Sequence, residues 1–221
     1  MGAPVQSSSP PSALSVSDAA SFAAATGASA AQIADLEAFR SLIAEWNEKM
    51  NLVGPSAMDA FWGRHAFDSA QLLPLAPEAR TWADLGAGAG FPGVVLAILM
   101  KGREGARVHL VDSMAKRCRF LAEVVESLAL PAEVHNARAE SLSLTVDIVT
   151  ARACAPMPRL LEFARPYLRK GATGLFLKGQ DVEAELAAAT ISWDFKAELL
   201  PSLSDASGRI VRVRRLRHAS R

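Results

Sequence analysis

Between Thr81 and Gly93 the chain reads Thr81-Trp82-Ala83-Asp84-Leu85-Gly86-Ala87-Gly88-Ala89-Gly90-Phe91-Pro92-Gly93, and no other stretch restricts the fold as much. A short apolar run ends near an acid, four glycines follow at near-alternate positions, and the apolar segment from Val94 to Met100 comes next. That order predicts a strand, a tight turn and a helix, the opening of a βαβ unit. Glycines let the backbone turn sharply and let a ligand approach main-chain atoms that a Cβ would shield. Pro92 suits the first helical turn, where an amide N–H has no intrahelical partner to lose.

Two ligand classes fit such a turn. Gly88 to Gly93 matches the G-x-G-x-x-G spacing of dinucleotide sites, in which a pyrophosphate sits at a helix N-terminus. Asp84 weighs against a pyrophosphate, because a carboxylate at the strand end repels phosphate where the dielectric is reduced. It suits a ligand with a cationic amine. Asp84 with Gly86, Gly88 and Gly90 therefore favours S-adenosylmethionine, which carries an ammonium and a sulfonium and no phosphate.

A chain of 221 residues, half of them apolar and 21% charged, accommodates one α/β domain with a real core plus a modest extension. Cys118 and Cys154 are far apart, with no CxxC and no Cys/His cluster in the sequence, so neither a disulfide framework nor a metal site is expected. This suits a reducing cytoplasm. The first thirty residues hold no Lys or Arg, and no apolar run approaches a membrane span, so neither a secretory signal nor a membrane partner is expected. Charge is uneven: after Asp205 come six arginines and no acid, whereas the rest carries 18 basic against 23 acidic residues. A basic end of this kind is compatible with a polyanionic partner.

Taken in order, residues 1–16 are Ser-, Pro- and Ala-rich and expected to be disordered. Residues 17–77 read as a helical N-terminal extension. Ser29 and Gln32 look like a capping box. Leu36, Phe39, Ile43, Trp46 and Met50 form one apolar stripe on a long helix that ends near Asn51, with Gly54-Pro55 as the break. A shorter helix is expected from Met58 to Leu73, containing Arg64-His65 and Asp68-Ser69. Residues 78–221 form the ligand-binding domain. Its second strand, 107–111, leads into Asp112, at the separation expected for an acceptor of ribose hydroxyls. A helix over 115–129 carries Lys116, Arg117 and Arg119 in its first turns, where cations oppose the helix dipole. A third strand is expected at 132–136, then a loop with Arg138, Ala139 and Glu140 where such folds often hold an adenine. A fourth strand over 146–150 precedes Arg152 and Cys154, and a fifth over 173–177 leads to Lys178. Strands near 195–200 and 209–215 close the chain. The alternation predicts an α/β fold with a largely parallel sheet and an antiparallel C-terminal strand, its ligand at the carboxyl ends of the strands.

Several motifs together carry a resemblance. Trp46-Asn47…Asn51-Leu52, Arg64-His65-x-x-Asp68-Ser69, the glycine turn, Val111-Asp112-Ser113-x-x-Lys116-Arg117-x-Arg119-Phe120-Leu121, Arg152-Ala153 and Leu177-Lys178-Gly179-Gln180 are similar to the RsmG (GidB) family. These are bacterial methyltransferases of 16S ribosomal RNA acting at guanine N7. The likeness runs from about residue 35 to the end. It implies a class I, Rossmann-like methyltransferase domain using S-adenosyl-L-methionine on 16S ribosomal RNA or the small subunit, in the cytoplasm and as a monomer. It further implies donor contacts at Gly86, Phe91, Ala139, Glu140 and Arg152, with Asp112 on the ribose and Ser113 beside it. Phe91 stands where many relatives carry an aliphatic residue, so a backbone contact is the expectation there.

The chemistry agrees with what is absent from the sequence. The N7 lone pair lies in the ring plane and is not protonated at neutral pH, so methylation needs alignment and charge management, and no general base. No Asn-Pro-Pro-Tyr-like motif follows the fourth strand, as exocyclic-amine methylation would require. Arg138, Arg152 and Lys178 are the positioning candidates, reaching guanine O6 or phosphate, since donation to N7 itself would block the reaction. Three other readings are open to this sequence: 5-methylcytosine formation with Cys154 as nucleophile, an NAD(P)-binding reductase, and a non-catalytic RNA-binding module. Asp84 and the lack of a Tyr-x-x-x-Lys pair oppose the reductase.

Overall fold

The computed structural model describes residues 15–54 and 58–219; the Ser/Pro/Ala-rich start up to residue 14 and the Pro55 break lie outside them. Helices α1 (Ala19–Thr26) and α2 (Ala30–Asn47) each open on a capping box, Asp18 with Ser21 and Ser29 with Gln32. The stripe on α2 buries Leu36, Phe39 and Ile43 completely, while Trp46 is half-buried. The helix stops at Asn47, short of the expected end near Asn51. Asn47 Oδ1 accepts the N–H groups of Leu52 and Val53 at 2.8 and 3.1 Å, turning the chain back and placing Met50 beyond the helix. Val16, expected within the disordered start, is buried in the same core.

The expected helix from Met58 differs in kind. Phe61–Phe67 is a π-helix that runs directly into the single turn α3 (Asp68–Ala70), followed by a 3-10 turn at Leu73–Leu75. Gly63 permits this approach: a Cβ there would lie 2.5 Å from the Val16 carbonyl oxygen.

The sheet then builds in alternation: β1 (Thr81–Leu85), α4 (Gly93–Met100), β2 (Arg107–Asp112), α5 (Ala115–Ser127), β3 (Ala132–Asn136), β4 (Ile148–Arg152), α6 (Met157–Leu168), β5 (Thr173–Lys178), α7 (Val182–Ala189), β6 (Trp193–Pro201) and β7 (Arg209–His218). Strand order is β3-β2-β1-β4-β5-β7-β6. The first five are mutually parallel, and β7 runs antiparallel to both neighbours, as expected of the C-terminal strand. The order reverses at β1, between β2 and β4, so the crevice above β1 is the natural ligand site. One face of the sheet is covered by α4 and α5 with the N-terminal helices, where Phe22, Phe39, Phe61 and Trp82 share a core with Val94 and Leu110. The other face is covered by α6, through Leu160, Leu161, Ala164 and Tyr167.

The arginine-rich segment is no loose basic end. It is β7, hydrogen-bonded on both sides, and its register pairs Arg209 with Lys178 and Val213 with Gly174. Arg209 therefore sits at the carboxyl ends of the parallel strands, whereas Arg214 lies level with their opposite ends and Arg215 and Arg217 continue past them. Arg212 is held by Glu198 at 2.8 Å. Arg221 lies outside the described residues.

Candidate functional site: two cavities at the carboxyl ends of the strands

The glycine turn folds tightly over the end of β2. Gly86 and Ala87 both donate to the Val111 carbonyl, at 2.8 and 3.0 Å, and Gly88 donates to Asp112 Oδ2 at 3.0 Å. Gly86 and Gly90 have φ of +71° and +93°, and each also touches a neighbour that excludes a Cβ. A Cβ on Gly86 would stand 2.8 Å from Cys154 Sγ, and one on Gly90 would stand 2.7 Å from Val94 and 2.9 Å from the Phe39 ring. The turn is thus packed from both sides, and Phe39 makes the N-terminal helix part of its support. Pro92 lies one residue before α4, at its N-cap.

Asp84 is fully buried under this turn. Its Oδ2 accepts the Gly93 N–H at 2.8 Å, and its Oδ1 has no partner among the described residues. Burial pushes its pKa up to about 7, while the Gly93 hydrogen bond and the Arg152 charge pull the other way. A buried acceptor without a donor is the kind of vacancy a cationic ligand group satisfies.

One cavity, of about 360 Å³, opens beside the turn and is lined by Gly86, Asp112, Ser113, Arg138, Ala139, Glu140 and Cys154, with Arg117, Arg159 and Phe163. Asp112 is oriented by two backbone donors, Gly88 to Oδ2 and Met114 to Oδ1 (3.0 and 2.8 Å), which leaves each oxygen a further lone pair. Arg117 approaches the same carboxylate at 3.7 Å, so one of the cations crowding the start of α5 already has an anionic partner. Lys116 donates to the Lys49 carbonyl. The 3-10 turn Ala139–Ser141 is tied down by the Tyr167 hydroxyl, which donates to the Ala139 carbonyl at 3.1 Å.

A second cavity, of about 380 Å³, is lined by Arg64, His65, Asp68, Arg152, Ala153, Lys178, Ser204, Asp205 and Arg209 among others. The two cavities share Ala153, whose φ of +49° is unusual for a residue with a Cβ. This bend after β4 sends Arg152 into one cavity and Cys154 into the other. Arg152 Nη1 donates to the Arg64 carbonyl at 2.8 Å and lies 3.4 Å from Asp68 Oδ2, and its guanidinium carbon stands 4.9 Å from the Phe91 ring centroid. His65 stacks on the same ring, centroids 4.8 Å apart. Both His65 nitrogens are buried and lack partners among the described residues, and burial, with the Arg152 and Arg64 charges, lowers its pKa to about 4.

Of the residues singled out from sequence, Gly86, Asp112, Ser113, Arg138, Ala139 and Glu140 therefore share one cavity. Gly88 orients Asp112 from the side. Phe91 is buried among Phe39, Phe61 and His65. Arg152 and Lys178 border the second cavity. Lys178 is held by Glu185 at 2.6 Å and by the Ala155 carbonyl, so its charge is already compensated. The Arg138 side chain is 77% exposed and, among the described residues, its one ion-pair approach is to Glu140 at 3.9 Å. From sequence His65 reads as either site-facing or solvated, and Arg209 only as one of six arginines of a basic end, because only the π-helix and the β7 register bring them to the cavity that Arg152 lines.

The sequence profile of a family described as rRNA small subunit methyltransferase G matches residues 32–210. "Ribosomal RNA small subunit methyltransferase G" of Caulobacter vibrioides (strain NA1000 / CB15N) is 68% identical over 201 residues, which cover 91% of this chain and 93% of that protein. The protein of the same name from Caulobacter sp. (strain K31) is 63% identical, covering 90% of each. Among solved structures, a SAM dependent methyltransferase from Aquifex aeolicus aligns with a TM-score of 0.52 at 18% identity, over 78% of this chain and 97% of that one. The SAH-bound Podospora anserina methyltransferase PaMTH1 aligns at 0.56 and 12%, over 85% and 88%. These two show the fold.

Proposed function

The chain belongs to the family of rRNA small subunit methyltransferase G, and from that premise we propose that its two cavities hold a methyl donor and a guanine of 16S ribosomal RNA, methylated at N7. It is an S-adenosylmethionine-dependent methyltransferase. Bound donor supplies an electrophilic methyl carbon on a sulfonium. On this reading Asp112 and Ser113 accept from the ribose hydroxyls, and Ala139 and Glu140 frame the adenine. Gly86, Gly88, Gly90 and Phe91 shape the turn, and the Asp84 carboxylate faces the ammonium. The unpartnered Asp84 Oδ1 supports this assignment.

One observation carries the choice of reaction: the second cavity offers cations, and among the described residues its possible bases are weak or already engaged, Asp205 by the Ser207 N–H and hydroxyl and by Arg64 at 3.9 Å. Asp68 is occupied by Arg152, Gln71 and Ser204, and His65, with a pKa of about 4, is a poor proton acceptor. Such a cavity suits an acceptor atom that loses no proton. Arg152, pinned by the Arg64 carbonyl and Asp68, is positioned to donate to an oxygen such as guanine O6, and Arg64 and Arg209 to phosphates. The cytosine alternative is not favoured, because burial raises the Cys154 thiol above its ordinary value and Cys154 lines the other cavity. The reading extends to a cytoplasmic enzyme working as a monomer, since one chain carries both cavities.

The test is nucleoside mass spectrometry of 16S ribosomal RNA and of small subunits treated with the protein and isotopically labelled donor. Labelled 7-methylguanosine is the expected product. Labelled 5-methylcytidine, or no label on either substrate, overturns the reading.

A further inference from the structure

We propose that His109, Glu133 and His135 bind a first-row divalent transition-metal ion, zinc being the best suited, at the edge of the sheet. Sequence spacing conceals the site, because the two histidines are 26 residues apart. The parallel pairing of β2 and β3 brings them together: His109 is in register with Glu133, and Val111 with His135. Side chains two apart on a strand share a face, so His109, Glu133 and His135 project on one side of adjacent strands.

Their ligand atoms lie within 4.8 Å of one another. His109 Nδ1 and His135 Nε2 face each other at 2.9 Å. The Glu133 carboxylate stands 3.7 Å from the first nitrogen and 3.9 Å from the second. Nitrogen ligands about 2.0–2.1 Å from a tetrahedral ion stand roughly 3.3–3.4 Å apart, so shifts of a few tenths of an ångström would complete three ligands. The imidazole side chains are 11% and 16% exposed and the carboxylate 50%, which leaves a solvent-facing fourth position. Two imidazoles with one carboxylate suit zinc and its neighbours and disfavour calcium or magnesium, which take oxygen ligands. Arg107 approaches Glu133 at 3.4 Å and is the competitor the ion has to displace.

An ion there would clamp the edge strand β3 to β2, whose ends carry Asn136 and Asp112. Asn136 Nδ2 donates to the Asp112 carbonyl at 3.2 Å, so the clamped strands are also joined at the end that supplies Asp112 to the donor cavity. The chain, stripped with a chelator, is titrated with zinc chloride and with cobalt chloride. One equivalent is expected to bind, and Tm to rise by about 5–10 °C at a hundredfold excess over Kd. Bound cobalt should show the visible bands of a nitrogen–oxygen site without thiolate charge transfer. His135→Gln should weaken binding by about tenfold or more. Glu133→Gln, at a half-exposed position that tolerates substitution, should do the same with secondary structure unchanged. The double variant Cys118→Ser, Cys154→Ser should bind as the parent does. No binding, binding that survives both His135→Gln and Glu133→Gln, or binding lost with the cysteines would overturn the site and leave an ordinary imidazole–imidazole hydrogen bond.

Discussion

Oδ2 of Asp84 accepts the Gly93 amide at 2.8 Å while Oδ1 of the same carboxylate, equally buried, accepts nothing from the described residues. One side chain therefore closes the glycine turn with one oxygen and keeps the other unpartnered beneath it, and on the proposed reading that oxygen meets the ammonium of the donor. The cost of this arrangement is electrostatic. Burial raises the Asp84 pKa to about 7, so the folded state prefers the neutral acid. By linkage, the unliganded fold gains from Asp84 below the ordinary carboxylate pKa and loses that gain as pH rises through 7.

Asp84→Asn should therefore separate binding from stability. Asparagine keeps an oxygen for the Gly93 N–H and removes the buried charge. At pH 8 the unliganded variant should melt at or above the wild-type temperature. Donor affinity should fall by about ten- to a hundredfold, the worth of one charged hydrogen bond. Thermal melts and calorimetry with S-adenosylmethionine give both numbers, and an unaltered affinity would remove Asp84 from the donor site.

The same carboxylate sets a pH dependence. A cationic ligand group favours the ionised form, so binding releases the proton that Asp84 holds below its pKa of about 7. Donor affinity should climb between pH 6 and 7 and level off above, with a limiting slope of roughly tenfold per pH unit. Asp84→Asn should flatten this part of the profile. A wild-type slope that persists in the variant would assign the proton to another group.

These features were legible in the sequence because they are local. Asp84 and the glycines lie within ten residues, and Asp112 follows at the end of the next strand, so strand–turn–helix geometry alone nearly superimposes them. Non-local features were not. Strand pairing alone decides that Arg209 reaches the second cavity while Arg214 and Arg217 do not, and the 3.6-residue pattern around Arg64 gave no warning of a π-helix. His109 and His135 read as isolated histidines until β2 and β3 pair. Phe91 was legible as a turn residue, but not as the ring on which both His65 and Arg152 rest.

Gly93 and Gly102 form an instructive contrast. A Cβ on Gly93 would press hardest on the Leu110 side chain and would also stand 2.7 Å from Asp84 Oδ2 and 2.9 Å from Asp84 Cβ, whereas Gly102, at φ +80°, faces open space. Gly93→Ala should lower stability by about 1–3 kcal/mol through overpacking and weaken donor binding as well. Gly102→Ala should cost about 1–2 kcal/mol of backbone strain with donor affinity intact. Equal donor affinities in the two variants would show that the Asp84–Gly93 contact is not part of the site.

Cys154→Ser tests the chemistry. The thiol is raised by burial and by the nearby carboxylates Asp84 and Asp112, so it stays protonated at neutral pH. Its place is against Gly86, at the wall of the donor cavity. Serine should retain most turnover, with any loss appearing in KM for the donor. Abolished turnover in a folded variant, with a protein–RNA adduct trapped by the wild type, would establish a cysteine nucleophile instead.

The basic residues should divide by position along the sheet, and by nothing else. The Arg64 side chain is 73% exposed at the second cavity, and among the described residues a 3.9 Å approach to Asp205 is its one ion-pair restraint. Arg214 and Arg217 have equal formal charge but lie toward the far end of β7. If RNA enters over the carboxyl ends of the strands, Arg64→Ala should weaken RNA binding and reduce its salt slope by roughly 0.7, the effect of one phosphate contact on a single strand. Arg214→Ala with Arg217→Ala should leave both unchanged, although it removes twice the charge. Neither change should move Tm by much, because exposed charges contribute little to stability. Binding isotherms at several salt concentrations decide the matter: a larger slope change in the double variant would mean that RNA also follows β7 away from the cavities.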